Sequence, residues 1–274
     1  MTTTLTYHGA ASYEIVGPSH RILIDPFLTG NPIAPCSPDD LETPDVILVS
    51  HAAIDHYGDT PAIAKRTGAP VICDAAVRAK LIDDGVSPDQ VSATTWGIVV
   101  EIAGLEVRPV ECHHWSMATL SDGRVIVGNP IAFIVETEPG TRIYHYGDTC
   151  IFDMRLIGEL YKPTIGLLGC TLPRELSHLI PGPATFLTGE MDADEAARAA
   201  EMLGLELAVA CHYLAVDSEV ERFLELVPEH DTTGRRQAVA PLVGETLVIE
   251  DGRHRIEGRS MAEGGSSLVE HEAE

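Results

Sequence analysis

Apolar positions along this chain fall into short runs broken by turn residues, with few long helical stripes. Leu5 to Tyr7, Tyr13 to Val16 and Arg21 to Ile24 read as strands, the last two joined by a Gly17-Pro18 turn. Pro26 ends the third run and leaves Asp25 at its C-terminal end, where α/β proteins build sites. Residues 29–44, rich in Pro, Gly, Asn and Asp, read as a loop. Val46 to Val49 is a continuous apolar run, the pattern of a buried strand. Thr60 as cap and Pro61 at the first helical position predict a short helix closed by Gly68. Val71 to Cys73 is a strand, and Asp74 caps a helix over Ala75 to Asp84 closed by Gly85. This alternation favours βαβ units.

From 91 to 147 the pattern is β-rich. Strands are predicted at Val99 to Ile102, Leu105 to Val110, Val125 to Val127, Ile131 to Val135 and Arg142 to Tyr146. Phe152 to Leu160 reads as a helix and Thr164 to Leu168 as a strand. Residues 171–190 hold three prolines and little periodicity, and a loop that long is expected to cover something. Asp192 to Glu195 opens a helix with a capping-box pattern, and Gly204 stops it. A strand over Leu207 to Cys211 delivers His212. Asp217 or Ser218 caps a last helix with Val220, Phe223, Leu224 and Val227 on one face. Strands over Gln237 to Ala240, Glu245 to Ile249 and Arg253 to Ile256 follow. Residues 258–274 read as a disordered acidic tail, which leaves 1–257 as a single domain. The order suggests two similar αβ halves, with sheets facing each other and helices outside.

Composition narrows the function classes. Hydrophobic residues make up 45% of 274 positions, enough for a sizeable core. The net charge of −24 repels nucleic acid and anionic lipid at long range. A small-molecule substrate is therefore expected, with no nucleic-acid and no membrane partner; homo-oligomerisation is left open. Six cysteines form no CxxC pair and lie in or beside apolar runs, as reduced thiols of a cytoplasmic protein do. The first residues lack the charged and apolar regions of a signal peptide, and no apolar run reaches membrane-spanning length.

Four places put metal-competent side chains at the ends of apolar strands. They are His51, Asp55 and His56; Glu111 to His114; Asp148; and His212. Imidazole and carboxylate donors suit zinc, iron or manganese, and strand ends hold them stiffly. Any one of these places alone is a weak signal; all four in this order point to a metal site.

The stretch Ser50-His51-Ala52-Ala53-Ile54-Asp55-His56 resembles the His-x-His-x-Asp-His signature of the metallo-β-lactamase superfamily, with Ala53 in place of the second histidine. Ile22 to Pro32, Met191 to Tyr213 and Pro241 to Val248 resemble the branch of metal-dependent hydrolases that includes the ascorbate-6-phosphate lactonase. The resemblance implies an α/β fold, a four-layer αββα sandwich. It implies a first metal site of His51, position 53 and His113 or His114, a second of Asp55, His56 and His212, and Asp148 bridging them. His114 is the favoured ligand; a register that turns Glu111 inward would favour His113. Ala53 removes one donor, and Ala10 stands where the branch has a Gly-His pair, with His8 before the glycine. One divalent ion (Zn, Mn or Fe) is therefore expected on Asp55, His56, Asp148 and His212, with a second bound only weakly by His51 and His114.

The expected activity is hydrolysis of a small ester or lactone, with a phosphodiester as a second substrate class, by hydroxide generated at the metal. Asp55 and Asp148 are the candidate catalytic residues, positioning the water and taking its proton. His113, Tyr57, Tyr213 and His178 are candidate substrate contacts or supports of the ligands, and Asp25 is expected to hold loop backbone near the site. Asp59 is expected to bond backbone at the following helix start. The rival reading is a non-catalytic binding protein on a degenerate scaffold, which the losses at positions 10 and 53 favour. A mononuclear iron oxidoreductase is the third.

Overall fold

A computed structural model of the chain describes residues 1–171, 187–250 and 252–257. Most of the loop expected at 171–190 and the tail expected at 258–274 lie outside the described residues.

The first sheet is built from β1 (Thr2–Gly9), β2 (Ser12–Val16), β3 (Arg21–Ile24), β4 (Val46–Leu48), β5 (Val71–Cys73) and β6 (Val91–Ala93), joined at its other edge by β16 (Thr246–Glu250) and β17 (Arg253–Ile256). Among the described residues its order is β17-β16-β1-β2-β3-β4-β5-β6. The second sheet contains β7 (Val100–Ile102), β8 (Leu105–Val110), β11 (Ala132–Glu138), β12 (Thr141–His145), β13 (Ile165–Gly169), β14 (Leu207–Cys211) and β15 (Gln237–Val239). Its order is β15-β14-β13-β12-β11-β8-β7. A separate two-stranded ribbon pairs β9 (Ser116–Thr119) with β10 (Val125–Gly128).

Alternation within the continuous apolar runs explains the layers. Ile22, Ile24, Val46, Leu48 and Ile72 face the second sheet and share one core with Val107, Phe133, Tyr144 and Leu167. Their neighbours Leu23, Ile47, Val49, Val71 and Cys73 face the other way, onto Ile63 and Ala64 of α2 (Thr60–Thr67) and Val77 and Leu81 of α3 (Ala75–Asp83). A strand covered on both faces needs apolar residues at every position, which is why these runs do not alternate in sequence. On the far side, α4 (Arg155–Tyr161), α5 (Ala193–Leu203) and α6 (Ser218–Glu229) cover the second sheet. The architecture is the expected αββα sandwich.

Several boundaries differ from the expected ones. The cap of α2 is Asp59, so Thr60 is its first residue. Asp59 turns its carboxylate to the amides of Leu28 and Thr29, 2.8 Å each, and not to the helix start. Asp74 and Asp217 do cap α3 and α6 through their side chains, and Asp192 with Glu195 closes a capping box on α5. The single-turn helix α1 (Ile54–Tyr57) and the strand β9 were not legible as elements.

The topology brings several strand ends to one edge. β3, β4 and β5 run parallel, as do β12, β13 and β14, and β8 runs antiparallel to β11, which is antiparallel to β12. The ends of β3, β4, β8, β12 and β14 therefore open on the same rim. A bond from Ile131 N–H to the Ser50 carbonyl, 2.9 Å, ties the two halves there.

Candidate metal centre

α1 begins three residues after His51 and presents Asp55 and His56 from its single turn. Gly58 ends it at φ 37°, where a Cβ would sit 2.3 Å from the Pro26 carbonyl oxygen, so the turn requires glycine. Gly147 plays the same part before Asp148, since a Cβ there would meet the Ile131 carbonyl at 2.4 Å. Asp25, Asp148 and His212 themselves take φ of 44°, 65° and 59°, a left-handed conformation unusual for residues with a side chain.

Donor atoms of Asp55, His56, Asp148 and His212, all buried, lie within 4.8 Å of one another. A second set, His51, His114 and Asp148, meets the same limit and shares Asp148. His56 Nε2 is 2.9 Å from Asp148 Oδ2, and His212 Nε2 is 3.2 Å from Asp55 Oδ2 and 3.7 Å from Asp148 Oδ2. His51 Nε2 is 3.8 Å from Asp148 Oδ2.

The outer nitrogens of these imidazoles are already engaged. His56 Nδ1 lies 2.8 Å from Asp25 Oδ2. Ser50 donates its hydroxyl to the same carboxylate oxygen, 2.7 Å, and its backbone N–H to Asp25 Oδ1, 2.8 Å. With its proton so placed, the Ser50 hydroxyl accepts from His51 Nδ1 at 3.0 Å. His114 Nδ1 lies 2.8 Å from the Gly189 carbonyl, which only accepts, so that nitrogen carries the proton. In His51, His56 and His114 the Nε2 lone pair is thereby left for the cluster. His212 Nδ1 sits 3.0 Å from Glu190 Oε1, and Tyr146 donates its hydroxyl to Glu190 Oε2.

The cluster itself is polar and undersatisfied. His51 Nε2, His56 Nε2 and Asp148 Oδ1 are buried without a hydrogen-bond partner, although His56 Nε2 is near a carboxylate oxygen. Buried polar atoms are rarely left so, and a cation among these donors would satisfy them. Charge points the same way. Burial would lower His56 and His212, but Asp148 with Asp25 raises the first well above its usual range, and Asp148 with Glu190 raises the second. Burial would raise Asp148, yet His212 and His56 hold its carboxyl well below the usual range. The acidic surroundings thus favour positive charge at the centre of the cluster, the charge a divalent ion would supply. Burial, His56 and His114 push His51 down, so it stays neutral, as a ligand must. Burial pushes the Glu190 carboxyl up to about 7.

Of the residues singled out from sequence, His51, Asp55, His56, His114, Asp148 and His212 come together, with Asp25 directly behind His56. Others do not. His113 turns outward, 2.7 Å from Glu111 Oε1 and stacked on Phe152, because the segment after β8 is no longer strand and alternation does not govern it. Tyr57 faces α3 and donates to Asp84 Oδ2 at 2.6 Å. Tyr213 is buried beside Tyr7 and donates to the Pro241 carbonyl. His178 lies outside the described residues. Sequence reasoning missed Ser50, Tyr146, Gly189 and Glu190; only the position of Glu190, just before a helix cap, hinted at a fixed side chain.

The layered sheets and the convergent imidazoles and carboxylates define a metallo-hydrolase scaffold of the metallo-β-lactamase type. A model described as the β-lactamase superfamily domain matches residues 20–213. The chain is 37% identical over 232 residues to a UPF0173 metal-dependent hydrolase of Methanopyrus kandleri, covering 82% of this chain and 91% of the relative. It is 38% identical over 229 residues to another from Pyrococcus furiosus, covering 82% and 92%. Among solved structures it is similar to Igni18, a metallo hydrolase from Ignicoccus hospitalis, with a TM-score of 0.71 and 26% identity over 91% of this chain and 99% of that one. The chain belongs to the UPF0173 metal-dependent hydrolase family of the β-lactamase superfamily, and is an enzyme of that hydrolase class. No helix among the described residues is long and apolar enough to cross a membrane.

Proposed function

We propose that this enzyme hydrolyses a small ester or lactone with one divalent ion, zinc, manganese or iron, held by Asp55, His56, Asp148 and His212. The observation that carries the reading is that buried donor atoms of these four residues lie within 4.8 Å of one another, with His56 Nε2 and Asp148 Oδ1 left without a hydrogen-bond partner. His51, His114 and Asp148 form a poorer set, one donor short where Ala53 stands, and hold a second ion weakly or not at all. The lactone comes from the likeness of Ile22 to Pro32 and Met191 to Tyr213 to the branch that includes the ascorbate-6-phosphate lactonase, motifs that specify the fold and not the substrate. The free thiols support a reducing, cytoplasmic setting.

Asp55, His56, Asp148 and His212 would hold a divalent ion that would lower the pKa of water toward about 7 and polarise an acyl oxygen. The chain's own residues orient and move protons. Asp25, Ser50 and Gly189 hold His56, His51 and His114 with their Nε2 atoms facing inward. Asp55 lies at the rim, 8% exposed, with Oδ2 on His212. Its Oδ1 accepts a proton as the water oxygen bonds the acyl carbon, and returns it to the leaving alkoxide as the acyl C–O bond breaks.

Metal analysis of protein purified without added metal tests the reading. One equivalent is expected, lost in Asp55→Ala and His212→Ala. Protein that takes up no ion under any supplement sinks it. A metal-loaded protein inert toward a panel of lactones and esters sinks the substrate class.

A further inference from the structure

Beside the metal cluster, on the side of His114, a cleft of about 540 Å³ opens, within the size range of small-molecule sites. Its walls include Trp96, Trp115, Val127 and Pro130, with His113 and His114 in the lining. His114 therefore belongs to the cleft and to the donor set at once. None of the lining side chains is Lys, Arg, Asp or Glu.

The walls are held in place. Trp96 donates its indole N–H to the Pro130 carbonyl at 2.6 Å. The Trp115 ring stacks on His114, centroids 4.9 Å apart and planes at 20°. His114 is in turn anchored on Gly189. Val127 stands on β10 opposite Met117 of β9, and the two keep 73% and 51% of their surface exposed. Trp96 and Trp115 are 39% and 40% exposed. Large apolar side chains grouped in the open beside a polar cluster mark a binding surface.

We infer that this cleft is the subsite for the apolar part of the substrate: a neutral, flat aryl group packed against Trp115 and Val127, with its ester or lactone bond carried toward the cluster past His114. The fate of that bond rests on the hydrolytic reading above; the binding of the ring does not.

The protein has two tryptophans, and both line the cleft, so fluorine NMR of the metal-loaded protein labelled with 5-fluorotryptophan reads its occupancy without turnover. Benzamide, neutral and resistant to hydrolysis, is expected to move both resonances saturably. Cyclohexanecarboxamide, neutral but not flat, should bind about fivefold more weakly, because it cannot stack on an indole ring. Val127→Asp should weaken benzamide by a similar factor while the variant keeps its metal. Benzamide that shifts neither resonance overturns the inference, as does cyclohexanecarboxamide binding equally well. A dimer that falls apart on Val127→Asp, with no benzamide shift, gives the face to a second copy and overturns it too. Aryl-ester hydrolysis without a shift removes the subsite alone. Benzamide binding without hydrolysis of any ester supports the subsite and removes the hydrolytic reading alone.

Discussion

Asp25 supplies no donor atom to the cluster yet controls two side chains that do. Its two oxygens take the Ser50 N–H, the Ser50 hydroxyl and His56 Nδ1, so one carboxylate sets the orientation of His56 and, through Ser50, of His51. A partner behind a metal-binding histidine typically governs affinity by about 10- to 100-fold. Asp25→Asn is therefore expected to keep the fold and lose metal affinity by that order, read by competition with a chelating dye; unchanged affinity would show that His56 needs no such support. Ala53→His supplies the donor the second set lacks, and metal content should rise from one to two equivalents by elemental analysis. If it stays at one, the vacancy is not what limits stoichiometry. His51, Asp55, His56, Asp148 and His212 were legible because each follows an apolar strand or opens the turn after one. Gly189 and Ser50 were not, because a backbone carbonyl and a hydroxyl become ligand supports only through what packs against them.

Among the elements, α5 has a role beyond covering the sheet. Its capping box, Asp192 Oδ1 accepting from the Glu195 N–H at 2.9 Å, starts two residues after Glu190 and three after Gly189, which hold His212 and His114. Asp192→Ala should cost about 1 kcal/mol in a urea-unfolding measurement, the usual worth of a cap. A variant as stable as the parent would mean that tertiary packing alone fixes the helix start. The caps and stops of α3, α5 and α6 were readable because each rests on a local side-chain-to-backbone bond. The β9–β10 ribbon was not fully readable because its pattern is inverted. Ser116 and Ala118 face inward against α3, while Met117, Val125 and Val127 face out. A reading that puts apolar residues inside cannot place such a strand.

For the whole molecule, the two halves meet where the acids crowd. Asp25, Asp55, Asp148 and Glu190 are all buried on the rim shared by both sheets. A cation there binds the folded state alone, and an ion present at 100 times its Kd adds about 2.7 kcal/mol. Stripping the metal with a chelator should lower the melting temperature by roughly 5–10 °C for a domain of this size. Calorimetry with and without added zinc or manganese checks it; coincident melting curves would mean that the cluster holds no structural ion.

Local chemistry was written in the linear chain: doubly covered strands as unbroken apolar runs, helix starts as capping acids, and metal-competent residues at strand ends. These depend on neighbours within a few positions, so sequence alone determines them. Which of His113 and His114 turns inward, which carbonyl fixes an imidazole, and where apolar side chains gather outside the core depend on segments about 75 positions apart or more arriving at one place, as His114 and Gly189 do. Only the tertiary structure decides those, because a contact made by packing leaves no local pattern in the residues that make it.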